Sequence, residues 1–397
     1  MQMNRSCPVK NTHGKIFATC NSTGFWQAAI PVLNRLMAAG HIVHTAAAKS
    51  SPSVPFIVSK GFSCHVLKNT SIWNDPAAVN RVQDLLCDLE PDCILVGVAD
   101  TSAGSEKTAI FAAHDLGIPI VVLVESWPHM WLAAYGERDT PLYQQRVEKV
   151  CVMDSLAQAK LLEVGYKQDQ VVVTGNPFND VLAGELAHKD AYRGEVRAHF
   201  GIAPEAFVFS YMTTDDLDNP VGPDHPEWLG HTEESVLREF LIALHLTKCE
   251  HGDKMFEGIV RVKPGFKGMR VRELIAEICP TAHYDSVNHQ GKPHALFAPN
   301  IIVTRYSQML DHAAQLGLPT ISVLPNLYAA HRRPIVNQLE LVTARYRVGD
   351  LLELIKITAA NPEAALWKMR DQRRSLSPMV ANATDNVTNL LERYMVI

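Results

Sequence analysis

The stretch Cys93-Ile94-Leu95-Val96-Gly97-Val98-Ala99-Asp100-Thr101-Ser102-Ala103-Gly104 decides the fold, together with three downstream segments: Glu106 to Leu116, Gly117-Ile118-Pro119, and Ile120-Val121-Val122-Leu123-Val124-Glu125. The two apolar runs lack polar alternation, so each reads as a strand covered on both faces. The segment between them reads as a helix, which Gly117 stops. Strand, crossover helix and strand in that order make a parallel unit. Each strand leads to a carboxylate, Asp100 in one case and Glu125 in the other.

The same unit recurs outward in both directions. Upstream, Ile16 to Cys20 reads as a strand, Asn21-Ser22-Thr23-Gly24 as a turn, and Trp26 to Ala39 as a helix with Ile30, Leu33, Leu36 and Met37 on one face. Gly40 stops that helix, and Ile42 to Ala46 is the next strand. Downstream come a strand at Lys149 to Met153, a helix at Leu156 to Val164 and a strand at Gln170 to Thr174. The more polar stretch Phe178 to Pro204 reads as the connection to a second α/β run. That run begins at Phe207 to Tyr211 and continues through Gly258 to Val262, Ile301 to Thr304 and Thr320 to Leu324, with helices between. From Pro362 to Tyr394 the chain reads as helical, with Asn361 as a cap and Pro362 in the first turn. A chain of 397 residues is expected to split into two cores. The sequence therefore predicts an α/β protein of two Rossmann-like, doubly wound domains with a cleft between them. Residues 1–14 are expected to be a flexible tail, 15–190 and 191–375 the two domains, and 376–397 a C-terminal helix packing back on the first.

Composition narrows the function. Hydrophobic residues make up 47% and charged residues 20%, which is ordinary for a globular chain. A net charge of −5 argues against a nucleic-acid surface. The eight cysteines, Cys7, Cys20, Cys64, Cys87, Cys93, Cys151, Cys249 and Cys279, form no CxxC pair, so no structural zinc is expected. Met1 to Gly14 has no apolar segment of signal-peptide type, and no run is long enough to span a membrane. The expected location is the cytoplasm. No GxSxG, Walker A loop, HExxH or GxGxxG after the first strand occurs.

Open parallel sheets bind ligands beyond the carboxyl ends of their strands. That rule selects Asn21, Thr23 and Gly24, then Asp100, Thr101 and Ser102, then Glu125, then Asn176. In the second half it selects Thr214 and Asp215, Lys263, and Arg305-Tyr306-Ser307. Asp100 and Glu125 stand at the ends of two strands of one sheet and suit acid–base work; equally, Asp100 precedes a helix and is placed to cap it. Arg305-Tyr306-Ser307 leads into a helix whose N-terminus suits an anion, or is simply capped by Ser307. Asp215-Asp216-Leu217-Asp218 resembles a metal-binding carboxylate cluster, but such clusters are frequent in solvated loops. Arg332-Arg333, after His331, has the chemistry of a phosphate contact or is simply solvated.

Four segments carry a family resemblance. Val98-Ala99-Asp100-Thr101, Leu123-Val124-Glu125-Ser126, Val172 to Asp180 and Ile302 to Pro319 occur in an order that resembles glycosyltransferase B-fold proteins, in particular the UDP-N-acetylglucosamine 2-epimerase-like group. The similarity runs over most of residues 15–345. Glu125-Ser126-Trp127 and Lys149 to Asp154 are also similar to surface-polysaccharide glycosyltransferases of this fold. Thr213-Thr214-Asp215-Asp216 stands where the epimerases carry His-Arg-Arg-Glu, and Arg305-Tyr306-Ser307-Gln308 stands where they carry Ser-Gly-Gly. Asp311-His312 stands where they carry adjacent glutamates.

The resemblance implies a metal-independent glycosyltransferase first. The second domain would hold a nucleotide sugar through Thr214, Asp215, Lys263, Arg305, Tyr306, Ser307, Asp311, His331 and Arg332. Asp100 or Glu125 would be the base for an acceptor hydroxyl, with Asn21, Thr23, Gly24, Thr101, Ser102 and Asn176 lining the site. It implies second a sugar-nucleotide 2-epimerase, hydrolysing or not, which uses the same two carboxylates as acid and base on the sugar ring. A non-catalytic nucleotide-sugar-binding protein is the third reading. All three need no separate cofactor, take a nucleotide sugar as ligand, and are compatible with a homodimer.

Overall fold

The computed structural model describes residues 13–68, 75–98, 104–127, 129–130, 133, 140–214, 217, 230–252, 255–262, 268–286, 294–305, 307–326, 343–371 and 380–395. The chain divides into two compact units, the first formed by Met1–Val181 with Met379–Ile397 and the second by Leu182–Pro378. Among the described residues no helix is long and apolar enough to cross a membrane.

The first unit runs β1 (Lys15–Thr19), α1 (Thr23–Ala38), β2 (Ile42–Ala48), α2 (Ser53–Ser59), β3 (Cys64–Leu67), α3 (Pro76–Leu89), β4 (Cys93–Val96), α4 (Ser105–Leu116) and β5 (Ile120–Leu123). It continues through α5 (Thr140–Arg146), β6 (Lys149–Val152), α6 (Ser155–Glu163), β7 (Val171–Val173) and α7 (Pro177–Glu185). Its sheet has the order β3-β2-β1-β4-β5-β6-β7, and every pairing is parallel. Strand order reverses between β1 and β4, where a doubly wound sheet opens its binding crevice. All four residues of β4 and of β5 are buried, as their unbroken apolar runs require.

Three features hold this sheet edge in shape. Ser22 caps α1, and the Trp26 indole N–H, fully buried, donates to the Cys20 carbonyl at 2.9 Å. The C-terminal helix packs on α1, its Val387, Leu390, Leu391 and Met395 sharing a core with Trp26 and Leu33. That helix also clasps the segment after β7. The Thr384 amide donates to Asp180 at 2.7 Å, and the Asn386 amide group donates to the Thr174 carbonyl at 3.1 Å. Gly175 stands between them at φ +84°, and a Cβ there would lie 2.8 Å from the Ala383 methyl. Only glycine satisfies both the left-handed backbone and the close approach.

In the second unit a short 3₁₀ turn, Leu186–His188, leads into α8 (Lys189–Phe200). The stretch after Phe178, polar and charged in sequence, is thus helical on both sides of the division between the units. Then follow β8 (Phe207–Met212), α9 (Glu233–His251), β9 (Phe256–Arg261), α10 (Met269–Ile278), β10 (His283–Asp285), α11 (His294–Phe297), β11 (Ile301–Thr304), α12 (Gln308–Leu316), β12 (Thr320–Val323), β13 (Thr343–Arg345), α13 (Asp350–Ala360), α14 (Pro362–Asp371) and α15 (Ala383–Met395). The last of these is the helix that belongs to the first unit. The expected helix from Pro362 to Tyr394 is two helices, with Asn361 receiving the Ala364 amide at 3.2 Å as the expected cap.

The second sheet has the order β10-β9-β8-β11-β12-β13, again parallel throughout. Its reversal falls between β8 and β11. Phe209, Tyr211, Phe240, Leu244, Val303, Ile321 and Leu351 centre the core between the sheet and the helices α9 and α13. Both units are therefore doubly wound Rossmann-like folds, as the strand-and-helix pattern of the sequence predicts.

Candidate functional site

In the first unit the ends of β1, β4 and β5 bring together Asn21, Ser105, Glu106 and Glu125. Asn21 is a structural knot here. Its Oδ1 accepts from the Ala48 amide at 3.1 Å and from the Ser105 hydroxyl at 3.0 Å. Its carbonyl accepts from Ser51 and Ser53, and its own amide donates to Glu106 Oε2 at 3.2 Å. Thr23 and Gly24, half-buried, are the first two residues of α1.

Glu125 lies two residues beyond β5, and its side chain is fully buried. Its Oε1 is 2.5 Å from His129 Nδ1, while Oε2 has no hydrogen-bond partner. The Glu125 backbone is fixed by Asn176, whose amide group donates to the Glu125 carbonyl at 2.7 Å. The Asn176 Oδ1 in turn accepts from Phe178 N at 2.9 Å and so orients the start of α7. Asn176, expected to line the site, thus has contacts that position the carboxylate. Beside it, Asp154 caps α6 through the Ala157 amide at 2.8 Å; burial raises its carboxyl, while hydrogen bonds from the α6 amides and Trp127 oppose that rise.

Glu106 carries no mark in the sequence. It sits in the first turn of α4, where acidic residues are common for dipole reasons alone. Yet it is 0% exposed, and its Oε1 has no partner. Gly104 makes the space for that oxygen, since a Cβ there would lie 2.2 Å from it. Burial pushes the Glu106 carboxyl from 4.5 up to about 7, against the opposing pull of backbone amides, Lys107 and His129. Burial first, then Glu106 and Glu125, also push the Cys20 thiol up, so both carboxylates bear on one point at the end of β1.

The raised value makes a prediction about stability. Between about pH 4.5 and 7 the folded chain keeps the Glu106 proton and the unfolded chain releases it. Stability then falls as pH rises through that window and levels off above it, by at most on the order of 3 kcal/mol. Thermal unfolding should show Tm dropping from pH 5 to 7.5 in the wild type and a flatter profile in Glu106→Gln. Equal slopes in the two proteins would contradict the assignment.

The second unit has its own buried network. Glu233, the first residue of α9, accepts from the Tyr211 hydroxyl at 2.5 Å, from the Thr214 amide at 3.2 Å and from the Thr214 hydroxyl. Arg305 Nη1 completes it at 3.0 Å, with both side chains under 5% exposed. The sequence places Arg305 where a diphosphate would bind; its contacts here answer Glu233. Ser307 is the N-cap of α12, accepting from the Met309 amide at 3.2 Å. Asp311 is buried in that helix, and burial lowers the neighbouring His312 to about 4, so it is neutral at physiological pH. His231, also buried, has Nδ1 2.7 Å from the Pro325 carbonyl and ties the approach to α9 to the end of β12.

Asp100, Thr101, Ser102, Asp215, Lys263, Tyr306, His331 and Arg332 lie outside the described residues. Of the expected site residues the structure brings together Asn21, Glu125 and Asn176 in one unit and Thr214 and Arg305 in the other. His129, Glu106 and Glu233 join them. His129 had a legible signal, the i to i+4 spacing from Glu125. Glu233 had none, because it meets Thr214 only through tertiary packing.

Two doubly wound parallel sheets, each with polar groups gathered at the carboxyl ends of its central strands, define a fold of two Rossmann-like units. No family model and no curated protein sequence matches the chain. Solved structures do. The chain resembles the UDP-GlcNAc 2-epimerase of Neisseria meningitidis, solved bound to UDP-GlcNAc, with TM-score 0.66 and 15% identity over 96% of this chain and 100% of that one. It resembles the UDP-GlcNAc 2-epimerase of Methanocaldococcus jannaschii with TM-score 0.63 and 14% identity, covering 96% and 99% of the two chains. MurG of Acinetobacter baumannii is similar with TM-score 0.58 and 14% identity, again over 96% and 99%. The fold is therefore of the glycosyltransferase B type, as the motif order in the sequence implies.

Proposed function

We propose that this chain is a UDP-sugar enzyme of the 2-epimerase type, in which the first unit moves a proton on the sugar and the second holds the nucleotide. One observation carries the reading. Glu125 is fully buried beyond the end of β5, near the point where strand order reverses, with Oε1 held by His129 and Oε2 unpartnered. A buried carboxylate oxygen without a partner costs free energy unless it serves a ligand. Held by the Asn176 contact and polarised by His129, Glu125 is built to take a proton and give it back. The chemistry needs a second carboxyl group beside Glu125, and Asp100, at the neighbouring strand end in the sequence, is the candidate that the motif pattern offers. The similar solved structures that are 2-epimerases support this choice over simple transfer.

In the second unit the dipole of α12 and Lys263 are proposed to face the diphosphate. The Glu233–Arg305 pair fixes Thr214 at the end of β8 and thereby shapes the nucleotide side. A second reading, glycosyl transfer, draws on one specific feature. Thr213-Thr214 occupies the place of the epimerases' histidine, and Thr214 is bonded to Glu233.

Incubation with UDP-GlcNAc in the absence of any acceptor separates the two. The proposal expects conversion to the 2-epimer, or to UDP and a free sugar, seen by proton and phosphorus NMR. An unchanged UDP-GlcNAc that is consumed only when an acceptor is supplied would replace epimerisation by transfer.

A further inference from the structure

Glu106 has more than a structural setting. Its Oε2 is anchored by the Asn21 amide and faces the Ser105 hydroxyl at 3.5 Å. Its Oε1 is fully buried, has no partner, and lies over a glycine that leaves room for it. The groups that face it are Cys20 and Asn21 from the end of β1, Lys107 from its own helix, and, from beyond β5, His129, whose Nδ1 is 2.5 Å from Glu125 Oε1. A carboxyl with one oxygen tethered and the other held free, in company with a second such carboxyl, is the arrangement of a proton-transfer pair.

We propose that Glu106 is a second proton carrier of this site, with Oε1 as the atom that meets the sugar ring of the bound sugar nucleotide. This rests on the reading of the first unit as the place of proton transfer. Inversion at the ring carbon beside the anomeric centre needs two carriers, because a proton leaves one face and another arrives on the opposite face. In the forward half, a carboxylate takes the ring proton while the anomeric C–O bond breaks. The C–H pair becomes a carbon–carbon double bond, and the C–O pair leaves with UDP. In the return half, the diphosphate oxygen re-forms the C–O bond and the double-bond pair takes the proton from the other carboxyl, which is left as carboxylate. One of these two groups is Glu125 and the other Glu106. Burial keeps Glu106 able to hold its proton near neutral pH.

The test uses the whole chain with UDP-GlcNAc and, separately, its 2-epimer, no acceptor being present, and follows UDP release and epimer formation. Glu106→Gln is expected to lose epimer formation by about 100-fold or more while still releasing UDP from one of the two epimers, and Glu125→Gln while releasing it from the other. Epimerisation at the wild-type rate by Glu106→Gln would overturn the proposal. So would loss of release from both epimers in a variant that circular dichroism shows to be folded. Should Glu106→Gln not fold, Glu106→Asp carries the test: slowed epimerisation with unequal release from the two epimers is expected, and equal release contradicts it. Asp100→Asn is measured alongside, and the one-sided release appearing there instead of in Glu106→Gln would assign the second carrier to Asp100. Failure of the wild type to convert either epimer would remove the proposed function itself, and is told apart because it shows in the unmutated chain.

Discussion

Glu125→Gln is expected to lower the rate of UDP-sugar conversion by about 10²- to 10⁴-fold, the usual contribution of a positioned acid or base, while binding of UDP is unchanged. The substitution keeps the shape of the side chain and its contact to His129 Nδ1, 2.5 Å away in the native chain. It also keeps the backbone carbonyl that receives Asn176. What it removes is the ability of a buried group to exchange a proton. The expected variant is a folded protein with a normal UDP-induced rise in Tm and little turnover. Because the native oxygen Oε2 is buried without a partner, the amide should cost the fold little or even stabilise it. Turnover within threefold of the wild type would sink Glu125 as a proton carrier.

Arg305→Met is expected to destabilise the second unit by about 3–5 kcal/mol, the cost of breaking a buried ion pair from one side. Glu233 would keep the Tyr211 and Thr214 hydrogen bonds but lose its cation, in a setting where it is 4% exposed. That loss is a large share of the stability of a single domain. Urea unfolding followed by far-ultraviolet circular dichroism measures it, with the two units free to melt separately. Adding Glu233→Gln to Arg305→Met removes the uncompensated charge and should recover at least half of the loss, the signature of a coupled pair. An Arg305→Met protein within about 1 kcal/mol of the wild type would show that Arg305 serves chiefly elsewhere, on a bound anion for example.

The elements differ in how far the sequence makes them legible. The central strands β1, β4, β5, β8 and β11 announce themselves, because burial on both faces demands unbroken apolar runs. The edge strands β3, β10 and β13 do not. Each has residues only partly buried, so its pattern blends into the loops around it. The stretch beyond Phe178 is polar enough to read as a connection, but polarity also suits surface helices, and α7 and α8 are helices there.

The site is legible in the same uneven way. Glu125 stands out because a carboxylate after four buried apolar residues needs a reason. Glu106 does not, because an acidic residue one turn into a helix is ordinary; only the packing that buries it, and the glycine two residues before, mark it as different. Arg305 draws the eye by its charge at a strand end. Its partner, 72 residues earlier in the chain, is a fact of the tertiary fold alone.

Proton exchange at the sugar of a UDP-linked substrate is the chemistry on which the proposed function stands or falls. Proton NMR of UDP-GlcNAc incubated with the wild-type chain in heavy water, with no acceptor added, observes it directly. The signal of the proton on the ring carbon beside the anomeric centre should disappear as deuterium enters there in product. Retention of that proton, with binding of the nucleotide shown by a raised Tm in the same buffer, would contradict proton exchange by Glu125 and its partner.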